Sequence, residues 1–163
     1  MKKLWLFLLL ALPLYLAVSI CFLDKDYFLS PVEYQGDILI RSDSKGNGLF
    51  ASSRKGHRMH RGLDLFAPVG SLVFASRSGM VMVTRDEKRG MGKYVVIKHP
   101  GNLITLYGHL SDIYVYRYEF VRQGTLIGRV GKTGNARSSA IQPHLHFEVR
   151  KNGLPQDPLD YLQ

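Results

Sequence analysis

"QPHLHFEVR", residues Gln142 to Arg150, decides how this chain folds. Successive side chains of a strand point to opposite faces, so residues two apart share one. His144, His146 and Glu148 therefore share a face, and Leu145, Phe147 and Val149 fill the other. Polar groups along one face and apolar groups along the other describe a half-buried strand. Either the polar row is a solvated outer face, or it aims two imidazoles at one point. Histidines at i and i+2 suit a metal without being specific to one.

Upstream, short β-rich runs recur: "LVFA" (72–75), "GMVMV" (79–83), "KYVVIK" (93–98), "LITLY" (103–107) and "TLIGRV" (125–130). Turn-forming clusters separate them, among them Pro68-Val69-Gly70, Arg89-Gly90-Met91-Gly92 and Lys132-Thr133-Gly134-Asn135. "KHPGNLITLY" joins two runs through four turn-forming residues, which predicts a hairpin over 93–107. From about Ser42 onward the pattern is all-β, with the strand spacing of a sandwich or barrel. Residues 24–41 read as a short connector with one apolar patch, "DILI".

The chain has 163 residues, enough for one domain with a core of its own. Its formal net charge is +9, from 22 Lys+Arg against 13 Asp+Glu, which favours polyanionic surroundings. The basic residues are scattered and no nucleic-acid motif accompanies them, so nucleic acid is not the expected partner. The start, "MKKLWLFLLLALPLYLAVSICFL" (1–23), has Lys2 and Lys3, then an apolar run, then Asp24 and Asp26. That charge order directs the downstream chain out of the cytoplasm, through a cleaved signal peptide or an uncleaved apolar membrane helix. The domain at 42–163 is thus expected in a periplasm or cell envelope. Cys21 is the only cysteine, so no intrachain disulfide forms. Ile20 sits where a lipoprotein signal needs a small residue, and Cys21 is read as unlipidated.

Six histidines carry the chemistry: His57, His60, His99, His109, His144 and His146. In "MHRGLDLFAPVG" (59–70), His60 and Asp64 are four apart, but Gly62, Pro68 and Gly70 argue against a helix. In an extended strand the two side chains would start about 13 Å apart. If both bind one ion, the chain must bend between them, and Gly62 offers the backbone freedom for it. With His146 they make two imidazoles and a carboxylate, the donor set of a hydrolytic zinc site with an open fourth position. His144, on the face of His146, and His109, just past the run 103–107, are placed to act on a water without ligating, as general base and oxyanion stabiliser. Taken alone, His109 reads more readily as a hydrogen-bonded loop residue. His99 reads as a hairpin-turn residue and His57 as part of a basic loop. Glu148, four residues past His144, gives no direct handle on the site.

Together "HRGLD" (60–64), "YGHL" (107–110) and "PHLHFEV" (143–149) resemble the three motifs of the lysostaphin-type, or LytM-type, zinc metallopeptidases. The segment "VRQGTLIGRVGKTGNA" (121–136) is similar too, and the likeness covers about 49–158. Each motif alone is modest; the three in order are highly specific. "NARSSAIQ" (135–142) is longer than the family's commonest form of that loop. The resemblance implies antiparallel sheets in a sandwich-like fold, with a groove over the larger sheet. It implies Zn2+ held by His60, Asp64 and His146, with His109 and His144 acting around the water. It implies hydrolysis of peptide bonds in peptidoglycan stem peptides or cross-bridges. Peptidoglycan, the membrane through an uncleaved leader, and a regulatory envelope protein are the expected partners. Two other classes compete: a non-catalytic envelope scaffold that activates an amidase, and a histidine phosphocarrier. The five intact residues argue against the first and the outward-directed leader against the second.

Overall fold

A computed structural model describes residues 27–54 and 58–163. The apolar leader expected as a signal or helix, Cys21 and His57 lie outside the described residues. Among the described residues no helix is long and apolar enough to cross a membrane.

β12 (His144–Lys151) is the strand read first, and the sheet is built around it. Its partner along one edge is β9 (Leu103–Ile113), with His146 opposite Gly108 and Lys151 opposite Leu103. Its other edge is shared by β5 (Leu63–Phe66) and β13 (Leu154–Gln156). β9 also pairs with β8 (Lys93–His99) in the expected hairpin, and past Leu110 with β11 (Leu126–Val130). β6 (Leu72–Phe74) extends β11; β7 (Gly79–Asp86) and β10 (Phe120–Val121) extend β8. These nine strands form one branched sheet, antiparallel at every pairing. The expected antiparallel, mostly β architecture is thus built largely from one hydrogen-bonded sheet, which branches at β9 and β12. Two small hairpins precede it: β1 (Ser42–Asp43) with β2 (Gly46–Asn47), and β3 (Ser53–Arg54) with β4 (Arg58–Met59). Among the described residues, only two short 3-10 turns, Gly134–Arg137 and Pro158–Asp160, are helical.

Alternation along the strands sends one set of side chains into a single core. Leu145, Phe147 and Val149 of β12, Leu63 and Leu65 of β5, and Tyr107 of β9 are fully buried there. Each such aliphatic or aromatic side chain contributes about 1.5–3 kcal/mol. The opposite face of β12 departs from the half-buried reading, because His144, His146 and Glu148 are 3%, 5% and 1% exposed. The reason is a cover that the pattern of β12 alone does not reveal: the segments around β1–β4 fold over that face.

Residues 27–41, expected as a connector, pack into the same domain. Phe28 and Val32 belong to the core. Ile40 bridges Leu65, and the Arg41 N–H donates to the Asp64 carbonyl at 2.9 Å, extending the edge of β5. His99 is likewise no turn residue. It ends β8 and is 3% exposed, with its ring nitrogens on the Ser78 carbonyl (2.9 Å) and Thr105 Oγ1 (2.8 Å). Buried polar groups need such partners, and His99 serves as a structural crosslink.

Candidate metal centre

Register brings Asp64 and His146 together. They sit directly opposite each other in the β5–β12 pair, where directly opposed Cβ atoms are roughly 5 Å apart. Their neighbours Leu63, Leu65, Leu145 and Phe147 face the core, so Asp64 and His146 both point to the other side. His60 arrives from outside the strand. The chain bends at Gly62, and the His60 N–H is tied to the Ser52 carbonyl at 2.9 Å. Gly62 has no left-handed backbone, contrary to the expected use of its freedom. It is glycine because a Cβ there would overlap the Phe147 carbonyl oxygen.

Three donor atoms converge. His60 Nε2 lies 3.0 Å from Asp64 Oδ1, His146 Nδ1 lies 2.8 Å from the same oxygen, and the two nitrogens are 3.1 Å apart. Each imidazole is oriented by its far nitrogen. His60 Nδ1 donates to the Leu49 carbonyl at 2.8 Å, and His146 Nε2 donates to Glu148 Oε1 at 3.0 Å. The inward nitrogens are therefore the ones left to bind a cation. Donor atoms of one tetrahedral zinc lie about 3.3 Å apart, so this triangle matches within a few tenths of an ångström. Its charge fits as well: burial alone would suppress a charge on His146, yet the bonds to Asp64 and then Glu148 raise it to about 9. The surroundings of His146 thus favour positive charge. His60, Asp64 and His146 thus fit a divalent cation.

Asp64 divides its two oxygens. Oδ1 faces the imidazoles, while Oδ2 accepts from Arg41 Nε (3.2 Å), Arg41 Nη2 (3.0 Å) and Arg54 Nη2 (2.8 Å). Burial opposes its charge, but the bonds with His146 and His60 hold its carboxyl well below the usual range. Arg41 is 3% exposed and also pairs with Asp43 at 2.7 Å. Asp43 Oδ2 in turn accepts the N–H of Gln142, two residues before His144. A chain of charge thereby links Asp64 to the loop that leads into β12. Neither arginine is visible in the motifs; their approach to Asp64 depends on the tertiary fold. Glu148 does have a handle on the site, through His146 and not through His144. Two residues past His146 on the same face, it is the partner of that imidazole, and Arg150 Nε holds its second oxygen at 2.7 Å.

His109 lies inside β9 rather than past its end. Three steps along β9, from Tyr107 to Leu110, face two along β8, from Val95 to Lys93. This is a bulge, and such bulges re-aim side chains beside functional sites. The extra residue is accommodated by a left-handed His109, with φ of 64°. Its ring centroid sits 5.0 Å from that of His144 and 5.9 Å from that of His146. His144 Nε2 approaches Asp64 Oδ1 to 3.8 Å, outside the triangle. His109 Nδ1 donates to the Thr133 carbonyl (3.0 Å) and His144 Nδ1 to the Gln142 carbonyl (2.7 Å). Each therefore keeps a bare Nε2. Burial, and then the positive charge near His146, push His109 down to about 3; burial lowers His144 too. Both imidazoles are neutral acceptors at ordinary pH. All five residues border an open groove of about 990 Å³.

The model of peptidase family M23 matches residues 58–158. The chain belongs to peptidase family M23. The motif-based resemblance to lysostaphin- and LytM-type peptidases is thereby upheld. Over 115 residues the chain is 36% identical to the lipoprotein NlpD/LppB homolog of Pseudomonas aeruginosa, covering 71% of this chain and 36% of that protein. Over 102 residues it is 42% identical to the DD-carboxypeptidase/endopeptidase Mpg of Neisseria meningitidis, covering 63% and 22%. Among solved structures, a zinc-containing peptidase from Vibrio cholerae superposes with a TM-score of 0.67 at 30% identity, over 83% of this chain and 40% of that one. The chain thus spans well under half the length of the curated relatives it matches.

Proposed function

We propose that this M23 peptidase is a zinc-dependent endopeptidase that hydrolyses peptide bonds in peptidoglycan stem peptides or cross-bridges outside the cytoplasm. The observation that carries the reading is the triangle of donor atoms, 2.8–3.1 Å on a side, with each histidine tautomer fixed from behind. The family, and a Vibrio cholerae relative named as a peptidoglycan DD-endopeptidase, 40% identical over 96 residues, support the substrate class.

His60, Asp64 and His146 would hold the metal. When bound, zinc supplies Lewis acidity, bringing the pKa of water from 15.7 to near 7 and polarising a carbonyl. The chain's own residues then move the protons. Either His109 or His144 accepts a proton from the attacking water at its bare Nε2. Its Nδ1–H stays on the Thr133 or Gln142 carbonyl, so the ring cannot turn away. Once charged, that imidazolium is the donor that the oxyanion and the departing amine require. Arg41 and Arg54 occupy Asp64 Oδ2 and leave only Oδ1 for the cation.

Purified protein is incubated with peptidoglycan, with and without a chelator, and the soluble muropeptides are read by mass spectrometry. Fragments with new peptide termini are expected, and they disappear with chelator and in His60→Ala or Asp64→Ala. No fragments from a zinc-loaded protein would leave the envelope scaffold as the better reading.

A further inference from the structure

The groove has an unbalanced charge. Three acids border it, and each is already engaged: Asp64 by arginines, Glu148 by His146 and Arg150, and Glu87 by the Tyr94 hydroxyl and Arg85. Lys45, Arg58 and Arg61 border it too and are exposed. Among the described residues no acidic side chain pairs with any of these three. They come from one stretch of chain: Lys45 from the β1–β2 turn, Arg58 from β4 and Arg61 from the position just after His60. The remaining lining, from Gly90 and Met91 to Ala136 and Ile141, is uncharged. Arg54 marks the inner boundary of the basic wall: it touches Asp64 while its side chain keeps 22% of its accessibility. Guanidinium groups beside an open cleft are poised for planar carboxylates, which they bind through paired N–H donors.

We propose that Lys45, Arg58 and Arg61 form a carboxylate-recognising subsite on one wall of the groove, selecting peptides that carry a free carboxylate close to the bond to be cut. This rests on the peptidase reading and deepens it, because it names the feature by which one stem peptide is preferred over another. Exposed pairs contribute little each, about 0.2–1 kcal/mol in general, so two arginines together give roughly a fivefold preference. The preference falls as salt rises, since the wall is open to solvent.

The test uses two synthetic stem peptides of identical sequence, one with free carboxylates and one with these converted to carboxamides. Wild-type protein loaded with zinc is expected to give a kcat/KM about fivefold higher on the free acid, carried by KM. In Arg58→Gln/Arg61→Gln, which keeps Lys45, the ratio falls to under about twofold. No discrimination by the wild type, or the same discrimination in the variant, overturns the subsite. If neither peptide is cut, the hydrolase reading fails on its own, and fluorescence anisotropy with the same two peptides still judges the subsite. Tighter binding of the free acid that is lost in the double variant upholds it; equal binding of the two peptides overturns it. Should the double variant not fold, Arg61→Gln alone is compared, with a smaller change of the same sign.

Discussion

Arg41→Met gives the sharpest test of how the centre is held. The arginine makes three charged bonds: Nε and Nη2 to Asp64 Oδ2 at 3.2 and 3.0 Å, and Nη1 to Asp43 Oδ2 at 2.7 Å. Methionine fills much of the stem volume and offers none of them. Removing one partner of a buried pair costs 3–5 kcal/mol in general. Here Arg54 remains on Asp64, and the N–H groups of Gln142 and Lys45 remain on Asp43. The loss should therefore sit at the low end, about 3 kcal/mol, or a fall in Tm of about 6–12 °C for a chain of this size. Its pH dependence has a definite sign. Burial opposes the charge of Asp43, but the Gln142 N–H, Arg41 and the Lys45 N–H outweigh it and hold the carboxyl at about 2. The unfolded value is about 3.9. A carboxyl lowered on folding adds stability above its unfolded pKa and loses it as pH falls through the folded one. The Asp43 share of the gap between wild type and variant should be full at neutral pH and shrink as pH falls from about 4 through 2, whereas the share carried by Asp64, whose carboxyl is held far lower, persists across that range. Urea denaturation across that range, in chelator so that cation binding adds nothing, measures it. A loss under about 1 kcal/mol at neutrality, or one that widens in acid, would refute the charge chain.

His109→Ala should keep its metal by equilibrium dialysis and lose about 10²–10⁴ in turnover; loss of metal would place His109 among the ligands. Glu148→Gln removes the charge that orients His146 and should weaken zinc binding about 10–100-fold in chelator competition, with unchanged affinity refuting that role. Gly62→Ala drives a methyl into the Phe147 carbonyl, so β5 must part from β12. A destabilisation of about 1–3 kcal/mol with weakened metal binding is expected, and a stable variant with native affinity would show that the close approach is not needed.

Much of the sheet is legible in the sequence because its signals are local. Gly101 and Asn102 both take left-handed angles in the turn that joins β8 to β9, as their residue types suggest. The shared face of His144, His146 and Glu148 follows from strand geometry alone. Contacts set by distance in space are the ones that escape. Arg41 stands 23 residues before Asp64 in a stretch with no periodicity, yet it is held against β5 by one backbone bond and two guanidinium bonds. The bulge at His109 is equally silent: nothing in "LYGHLS" states that β9 carries one more residue than β8 over that span.

The bulge and the register together explain why five residues from three distant segments can meet. A one-residue slip of β12 against β5 would turn His146 into the core and Leu145 or Phe147 onto the site, so the centre exists in only one register. That register is fixed from the apolar side, where Leu63, Leu65, Leu145 and Phe147 are all fully buried. The core therefore specifies the site: the area that stabilises the sheet also excludes every pairing that would scatter the donors. β9 lacks such a lock at Gly108, which carries no side chain. There the backbone itself is bent, and left-handed His109 stores about 1–3 kcal/mol of strain that the surrounding sheet must hold. The donor triangle thus sits on regular, core-locked pairing, whereas His109 beside it hangs on an irregular step of β9, which shifts register again past Leu110 against β11. Substitutions in the core should consequently disturb metal binding and stability together. Those that relax the bulge should disturb turnover alone.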